Sequence, residues 1–430
     1  MNKLKDIFFS PRIAFQLGLI SRSVGLLLFT IFIARRWNMS EIARFESFSI
    51  FQYVIFFSWF PAYCIVLLRQ GRQGNVPLQK SFLFSVLCHA LLLVILLCTT
   101  MILLKNYFLP WNELTINDYL QLLLMMVTYF LLQAFVYVFY IQGEIKKQWR
   151  LILLQLALWI LVIIVAHSFN QFMLWSNIGS VVIIALVFPS LKIARLDFQK
   201  QFWNDVVNYT VSLSIGAATL IIASYYVQAQ YGLQDELNWY RYGTRELPVI
   251  PALIAGFGQS FLIQNTNEKL FSLESMKKGL NKYLYALIVP LIILMVAAVP
   301  IFKFFYGPRF IPAASLMSIY LLIFIPRMIP SNTLMQYYNE QKALLWIAAT
   351  ELLFVVLGLF FFTKGGGLTR IVWILIAGTV LERLLQVIVL RQHHQIKISD
   401  FVPIKTYVIW SGLLVLAYLV QSSIVWNGVN

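Results

Sequence analysis

Residues 82–104 read FLFSVLCHALLLVILLCTTMILL, a stretch without a single Asp, Glu, Lys or Arg. As an α-helix it would be roughly 35 Å long at 1.5 Å per residue, enough to cross ~30 Å of hydrocarbon. Similar stretches recur along the 430 residues, of which 60% are hydrophobic and only 12% charged. A soluble domain has about a quarter of its residues charged. The sequence therefore predicts an all-α polytopic membrane protein.

The apolar stretches predict thirteen membrane-spanning helices joined by short connections. They are residues 13–34, 45–68, 82–104, 118–141, 151–168, 172–190, 207–228, 239–264, 283–304, 311–337, 343–363, 369–390 and 406–425. The 12 Trp and 21 Tyr suit two interfacial belts of aromatic side chains. The first stretch ends in Arg35-Arg36 without a small-x-small cleavage site, so we interpret it as a retained helix.

The distribution of Lys and Arg predicts the orientation. If the N-terminus is cytoplasmic, most of these residues fall in cytoplasmic connections, among them Lys146, Lys147 and Arg150. The positive-inside rule therefore favours this orientation, with the C-terminus on the outer side. It also explains most of the net charge of +16 without nucleic acid as a partner.

A short motif that occurs twice in the sequence predicts two similar halves. SRSVG at residues 21–25 and SLSIG at 212–216 stand at matching places in the first and seventh predicted spans. Duplicated halves are typical of transporters that work by alternating access. The predicted organisation is a six-helix lobe over 1–191, an amphipathic cytoplasmic linker or solvated loop over 192–206, a six-helix lobe over 207–391, and a loop with one extra helix over 392–430.

Several arginines fall inside predicted spans, where a charge costs about 2.5–3.5 kcal/mol on insertion scales. Arg22, Arg241, Arg245 and Arg327 are the candidates for a substrate site, because guanidinium groups bind phosphate oxygens in pairs of hydrogen bonds. The alternatives stay open: Arg241 could snorkel to the interface, and Arg245 could pair with a neighbouring carboxylate. A further arginine, Arg383, is expected to be neutralised by the adjacent Glu382 or by a neighbouring helix.

Carboxylates are rarer in the predicted spans. Glu46, Glu246 and Glu351 are candidates for coupling to Na⁺ or H⁺, with membrane potential as the alternative driving force; charges paired for structural reasons are the competing explanation. Prolines are expected to bend particular spans, including Pro326 and Pro330 in the tenth.

Some motifs are absent from the sequence. There is no GxxxxGK[ST] and no HExxH, so we expect no ATP motor, no catalytic residue, no cofactor and no metal site. The adjacent His393 and His394 are expected to be solvated in a cytoplasmic loop. Cys64, Cys88 and Cys98 lie in apolar stretches and are interpreted as core residues.

Four short motifs occur in a recognisable order: Ala34-Arg35-Arg36 before Phe45, residues 304–314 reading FFYGPRFIPAA, Asn339-Glu340-Gln341-Lys342, and Gly365-Gly366-Gly367. In this order the chain resembles the O-antigen and polysaccharide flippases of the multidrug/oligosaccharidyl-lipid/polysaccharide exporter superfamily. The resemblance extends over roughly residues 15–390, and a thirteenth span departs from the twelve or fourteen common there.

The resemblance implies two lobes around a cavity with Arg22, Arg241 and Arg245 on or near it. It also implies an undecaprenyl-diphosphate-linked oligosaccharide as substrate, which would cross the bacterial cytoplasmic membrane while its lipid tail stays in the bilayer. The expected protein is a monomer in contact with membrane lipids and with polysaccharide polymerase or assembly proteins.

Three alternatives remain from the sequence. A peptidoglycan precursor flippase would share this charge pattern. A cation-coupled drug exporter is less favoured, because the first span lacks an acid. A membrane glycan polymerase or ligase would need a sizeable outer loop with catalytic residues, and the predicted outer connections are short.

Overall fold

Every regular element of the described chain is helical. The computed structural model describes residues 25–56, 59–70, 76–103, 116–187, 199–232, 234–245, 272–338, 340–363 and 367–429. Within these ranges, nine helices are long and apolar enough to cross a membrane, or ten if Met39–Phe56 and Trp59–Leu68, bent by 51°, form one span. The predicted all-α membrane protein is confirmed, whereas the count of thirteen spans remains a prediction.

Contacts divide the chain into two units, Met1–Ser214 and Ile215–Asn430. The helices of the first unit are residues 25–36 (α1), Met39–Phe56 (α2), Trp59–Gln70 (α3), Val76–Leu103 (α4), Ile116–Ile141 (α5), Ile145–Val165 (α6) and Phe169–Val187 (α7). They pack chiefly as α4 on α5, α5 on α7, and α6 on α7.

Aromatic side chains hold the α1–α2 turn against α6 and α7. The Phe29 ring lies 4.7 Å from Phe172 and 5.3 Å from Phe45, measured between ring centroids. Trp37 donates from Nε1 to the Ala166 carbonyl oxygen at 3.1 Å. The buried indole thus gains packing area and a partner for its only polar group.

The next helix begins within the first unit. Helix α8 (Lys200–Tyr231) starts inside the predicted linker and continues without a break through the predicted seventh span. Near its start, Asp205 accepts a hydrogen bond from Gln70 of α3 at 2.6 Å, and Phe202 lies 5.5 Å from Tyr63 between ring centroids. Residues 192–198 of the predicted linker lie outside the described residues.

The second unit holds the remaining helices. They are Asp235–Gly243 (α9), Leu273–Val296 (α10), Ala298–Phe305 (α11), Ile311–Tyr320 (α12), Phe324–Arg327 (α13), Ser331–Tyr337 (α14), Gln341–Phe362 (α15), Leu368–His394 (α16), Ile398–Phe401 (α17) and Ile404–Val429 (α18). The main packing pairs are α15 with α16, α9 with α12, and α10 with α18.

Two predicted boundaries in this unit were wrong. The helix predicted from residue 283 begins ten residues earlier, because the Ser272 side chain accepts a hydrogen bond from the Ser275 N–H and caps the helix. The helix predicted from residue 239 begins at Asp235 and ends at Gly243, while residues 246–264 of that span lie outside the described residues.

Gly243 lets α9 approach α12 closely. A Cβ atom at this position would lie 2.6 Å from the Leu316 Cβ and 2.7 Å from the Ala313 carbonyl oxygen. The second of these atoms belongs to a helix backbone and cannot rotate away. A side chain at residue 243 would therefore push the two helices apart.

We expect Gly243→Ala to destabilise the folded protein by about 1–3 kcal/mol, the usual cost of overpacking. The measurement is thermal or denaturant unfolding in detergent, with Gly412→Ala as control. A Cβ at Gly412 meets no atom within 4 Å, so this control should lose no stability. Equal stability of the two variants would contradict the close approach.

Candidate functional site

The predicted tenth span is a broken helix. It runs from α12 through a 3₁₀ turn at Leu321–Ile323 and α13, turns at residues 328–330, and resumes as α14. Pro326 and Pro330 flank the break, as expected from the backbone donors that proline lacks. The Ile329 N–H bonds to the Pro326 carbonyl at 3.1 Å rather than four residues back.

The break leaves backbone groups that other parts of the unit satisfy. The Tyr407 hydroxyl of α18 donates to the Ile325 carbonyl oxygen at 2.7 Å. Broken helices inside a membrane occur where neighbouring elements or a water-filled cavity supply such partners. Helix α18 therefore stabilises the backbone at the break in the tenth span.

A glutamine on α16 joins the break to its neighbours. Gln386 is 1% exposed, and its Oε1 accepts hydrogen bonds from Ser331 Oγ at 2.6 Å and from Arg383 Nη1 at 2.7 Å. Its Nε2 donates to Glu382 Oε1 at 2.8 Å. Both ends of this amide are thus satisfied by polar groups on α14 and α16.

Two of the partners of Gln386 are charged, and two further charges interact with them. Arg383 lies 3.6 Å from Glu382, as predicted, and both side chains are about 15% exposed. Glu351 of α15 is 5% exposed and interacts electrostatically with Glu382, Arg383 and Arg327 of α13. We call Arg327, Ser331, Glu351, Glu382, Arg383 and Gln386 the charge cluster.

Glu351, Glu382 and Arg383 lie near the middle of two candidate spans, and Arg327 and Ser331 lie in the second half of a third. Glu351 is ten residues into α15, or roughly 15 Å at 1.5 Å per residue. Two arginines and two glutamates give these four residues no net charge when all are ionised. Buried charges at such depth are retained when they are paired or when they move ions or protons.

The second group of candidate residues lies on and after α9. Arg241 is half-buried and donates from Nη1 to Ser224 Oγ of α8 at 3.2 Å. Arg245 is also half-buried, and its Cζ lies 5.1 Å from the centroid of the Tyr242 ring. A hydroxyl and a ring face hold these guanidinium groups in place.

Of the remaining candidate site residues, one lies in the first unit and two lie outside the described residues. Glu46 is fully buried in α2 of the first unit and interacts with its surroundings. Arg22 and Glu246 lie outside the described residues. The structure thus brings Arg327 and Glu351 together, and Arg241 and Arg245 lie on one short segment.

The prediction that His393 and His394 are solvated in a loop is only partly right: His393 is exposed, whereas His394 is half-buried, and both lie at the end of α16. Glu340 accepts hydrogen bonds from His393 at 3.0 Å and His394 at 2.9 Å, and the His394 ring stacks on Tyr338 with centroids 4.3 Å apart. Hydrogen bonding by His393, and then by His394, lowers the pKa of the Glu340 carboxyl from its ordinary value. This contact ties the α14–α15 turn to the end of α16.

Sequence reasoning also missed Gln386 and Ser331. Gln386 stands four residues after Glu382 and three after Arg383, so all three lie on one face of α16. That spacing was a usable signal. Ser331, in contrast, comes from another helix. Within the described residues, no three His, Cys, Asp or Glu side chains are grouped to hold a metal ion.

The likeness of this chain to known proteins is structural. No protein-family model and no curated protein matches the sequence. The solved structure of the lipid II flippase MurJ, inward closed, aligns over 97% of this chain and 99% of its own, with a TM-score of 0.64 and 15% identity. The chain has the fold of the MOP superfamily transporters.

Two further solved structures with the MOP fold also align over most of this chain. An inward-facing multidrug resistance MATE family transporter aligns over 91% of this chain and 99% of its own, with a TM-score of 0.58 and 11% identity. A MOP superfamily transporter from Pyrococcus furiosus covers 90% of this chain and 94% of its own, with a TM-score of 0.54 and 11% identity. These neighbours are transporters and flippases rather than enzymes.

Proposed function

We propose that this protein is a flippase that moves an undecaprenyl-diphosphate-linked oligosaccharide, an O-antigen or exopolysaccharide repeat unit, across the bacterial cytoplasmic membrane. The observation that carries the proposal is the full-length likeness to a lipid II flippase. The sequence adds an excess of arginine over carboxylate in the predicted spans, which favours an anionic substrate.

In this proposal Arg241, Arg245 and Arg22 bind the diphosphate. Arg241 and Arg245 are held by Ser224 and Tyr242, so part of the cost of ordering two long side chains is met before the substrate binds. Arg327 was a further candidate for the diphosphate. Its interaction with Glu351 favours a role in the charge cluster instead.

The charge cluster is the proposed coupling element. Protonation of Glu351, or binding of Na⁺ beside it, would change a balanced set of four charges by one unit at the break in the tenth span. Such a change is a local event that can bias a bistable element. Membrane potential remains an alternative driving force, and Glu46 and Glu246 remain proposed contributors.

A peptidoglycan lipid precursor flippase is the second candidate. It is favoured by the name of the aligned structure, since MurJ is a lipid II flippase, with a TM-score of 0.64. Both candidates share the diphosphate and the polyprenyl chain, and they differ in the sugar. The protein is proposed to act as a monomer with an N-terminus in the cytoplasm, next to polysaccharide polymerase or assembly proteins.

Binding tests the arginine assignment. We expect Arg241→Ala and Arg245→Ala each to weaken binding of a short-chain polyprenyl diphosphate roughly tenfold to a hundredfold, the effect of one charged hydrogen bond. The measurement is ligand-dependent thermal stabilisation in detergent. The exposed Arg391 supplies the matched control, because Arg391→Ala should bind like wild type. Wild-type affinity in both α9 variants would overturn the assignment.

A further inference from the structure

A groove opens between α15 and α16 on their exposed apolar side. It has a cavity volume of about 340 Å³ and an almost entirely apolar lining. Six of the lining residues are Phe354, Leu357, Phe362, Trp373, Ile374 and Ala377. Both helices are candidate spans, so the groove would open toward lipid.

Differences in side-chain size create this groove. Gly358 lets the helices approach, since a Cβ there would lie 2.8 Å from the Ile374 Cγ2. Ala377 is small, while the rings of Phe362 and Trp373 are large and respectively 68% and 43% exposed. Tyr418 of α18 packs edge-on to Trp373 with ring centroids 6.1 Å apart and steadies that wall.

A cation is fixed at one end of the groove. Arg370 is exposed and donates from Nη1 to the carbonyl oxygen of Phe362, a lining residue, at 3.3 Å. It precedes Trp373 by three residues and therefore lies on the same face of α16. One hydrogen bond uses one of five guanidinium donors and leaves the others for an anion.

The sequence around the groove has no acidic competitor. Residues 352–381 contain no Asp or Glu, and their only charged residues are Lys364 and Arg370. An apolar cleft with a cation at its end complements a molecule with an anionic head and a hydrocarbon tail. From Phe354 to Phe362 the cleft is roughly 12 Å long at 1.5 Å per residue.

We propose that this groove binds one acyl chain of an anionic phospholipid, with the lipid phosphate on Arg370. Under the predicted orientation, the lipid belongs to the outer leaflet. Arginine suits the phosphate because its planar group forms two parallel hydrogen bonds. The lining residues and Arg370 include no member of the charge cluster and no residue of α9, so the proposal does not depend on the proposed transport activity.

Fluorescence quenching in vesicles tests the proposal. The full protein is placed in phosphatidylcholine vesicles that contain a small fraction of brominated phosphatidylglycerol or brominated phosphatidylcholine. The signal of Trp373 is obtained as the difference between wild type and Trp373→Phe. We expect this signal to be quenched with about fivefold preference for the anionic lipid, the effect of one cationic side chain.

Variants at both ends of α16 make the test specific. Arg370→Ala should abolish the preference, Ala377→Leu should reduce quenching by filling the groove, and Arg391→Ala at the other end should change neither. Equal quenching by both lipids, or a preference that survives Arg370→Ala, would overturn the proposal. Displacement of the brominated lipid by a trace of polyprenyl phosphate, but not by excess phosphatidylglycerol, would overturn the assignment to a phospholipid.

Discussion

Arg383→Met is expected to lower the stability of the folded protein by about 3–5 kcal/mol, the cost of removing one partner from a buried ion pair. Methionine approximates the length of the arginine stem but carries no charge. Glu382 would then lose the cation at 3.6 Å, and the Gln386 Oε1 would lose the donor at 2.7 Å. Unfolding in detergent by heat or by denaturant measures the loss.

A double-mutant cycle separates charge from packing. If the loss comes from the uncompensated carboxylate, Glu382→Gln should restore part of the stability in the Arg383→Met background. Arg391→Met, at an exposed position of the same helix, should stay within about 0.5 kcal/mol of wild type. Additive losses in the cycle would contradict the pairing of Arg383 with Glu382.

Glu351→Gln is expected to remove the response of transport to a proton gradient. A gradient of one pH unit supplies about 1.4 kcal/mol per proton, which biases the substrate distribution about tenfold. Glutamine has nearly the same size but cannot take up a proton. The variant should therefore still equilibrate substrate between leaflets, while the tenfold bias disappears.

The matched control for this prediction is Glu274→Gln. Glu274 pairs with Lys278 at 2.7 Å, and its side chain is 73% exposed, so it should not sense the interior of the span. The readout is the final distribution of a fluorescent substrate with and without an imposed pH gradient. If Glu351→Gln kept the full bias, another group such as Glu46 or Glu246 would have to take up the proton, and the assignment of Glu351 would be overturned.

The helices could be predicted from the sequence because each is determined by its own residues. Residues 82–104 must be helical in lipid whatever lies beside them, since only a helix satisfies their backbone there. The break in the tenth span was also foreseeable, because Pro326 and Pro330 act within one turn. The Arg383–Glu382 pair follows from adjacency in the sequence.

Contacts between distant helices were not foreseeable in the same way. Ser331 and Gln386 are 55 residues apart, Glu340 and His394 are 54 apart, and Ile325 and Tyr407 are 82 apart. Periodicity shows which face of a helix is polar, but it does not show which helices meet. The charge cluster therefore emerged only from the packing of α13, α14, α15 and α16.

Transbilayer movement of the substrate distinguishes a lipid-linked oligosaccharide flippase from a drug exporter. The purified protein would be placed in vesicles with a fluorescent polyprenyl-diphosphate oligosaccharide, and an impermeant quencher would report the accessible fraction without ATP. We expect wild type to make the substrate in both leaflets accessible and not to export a cationic dye. Export of the dye by folded protein, with no movement of the lipid-linked oligosaccharide under any imposed gradient, would contradict it.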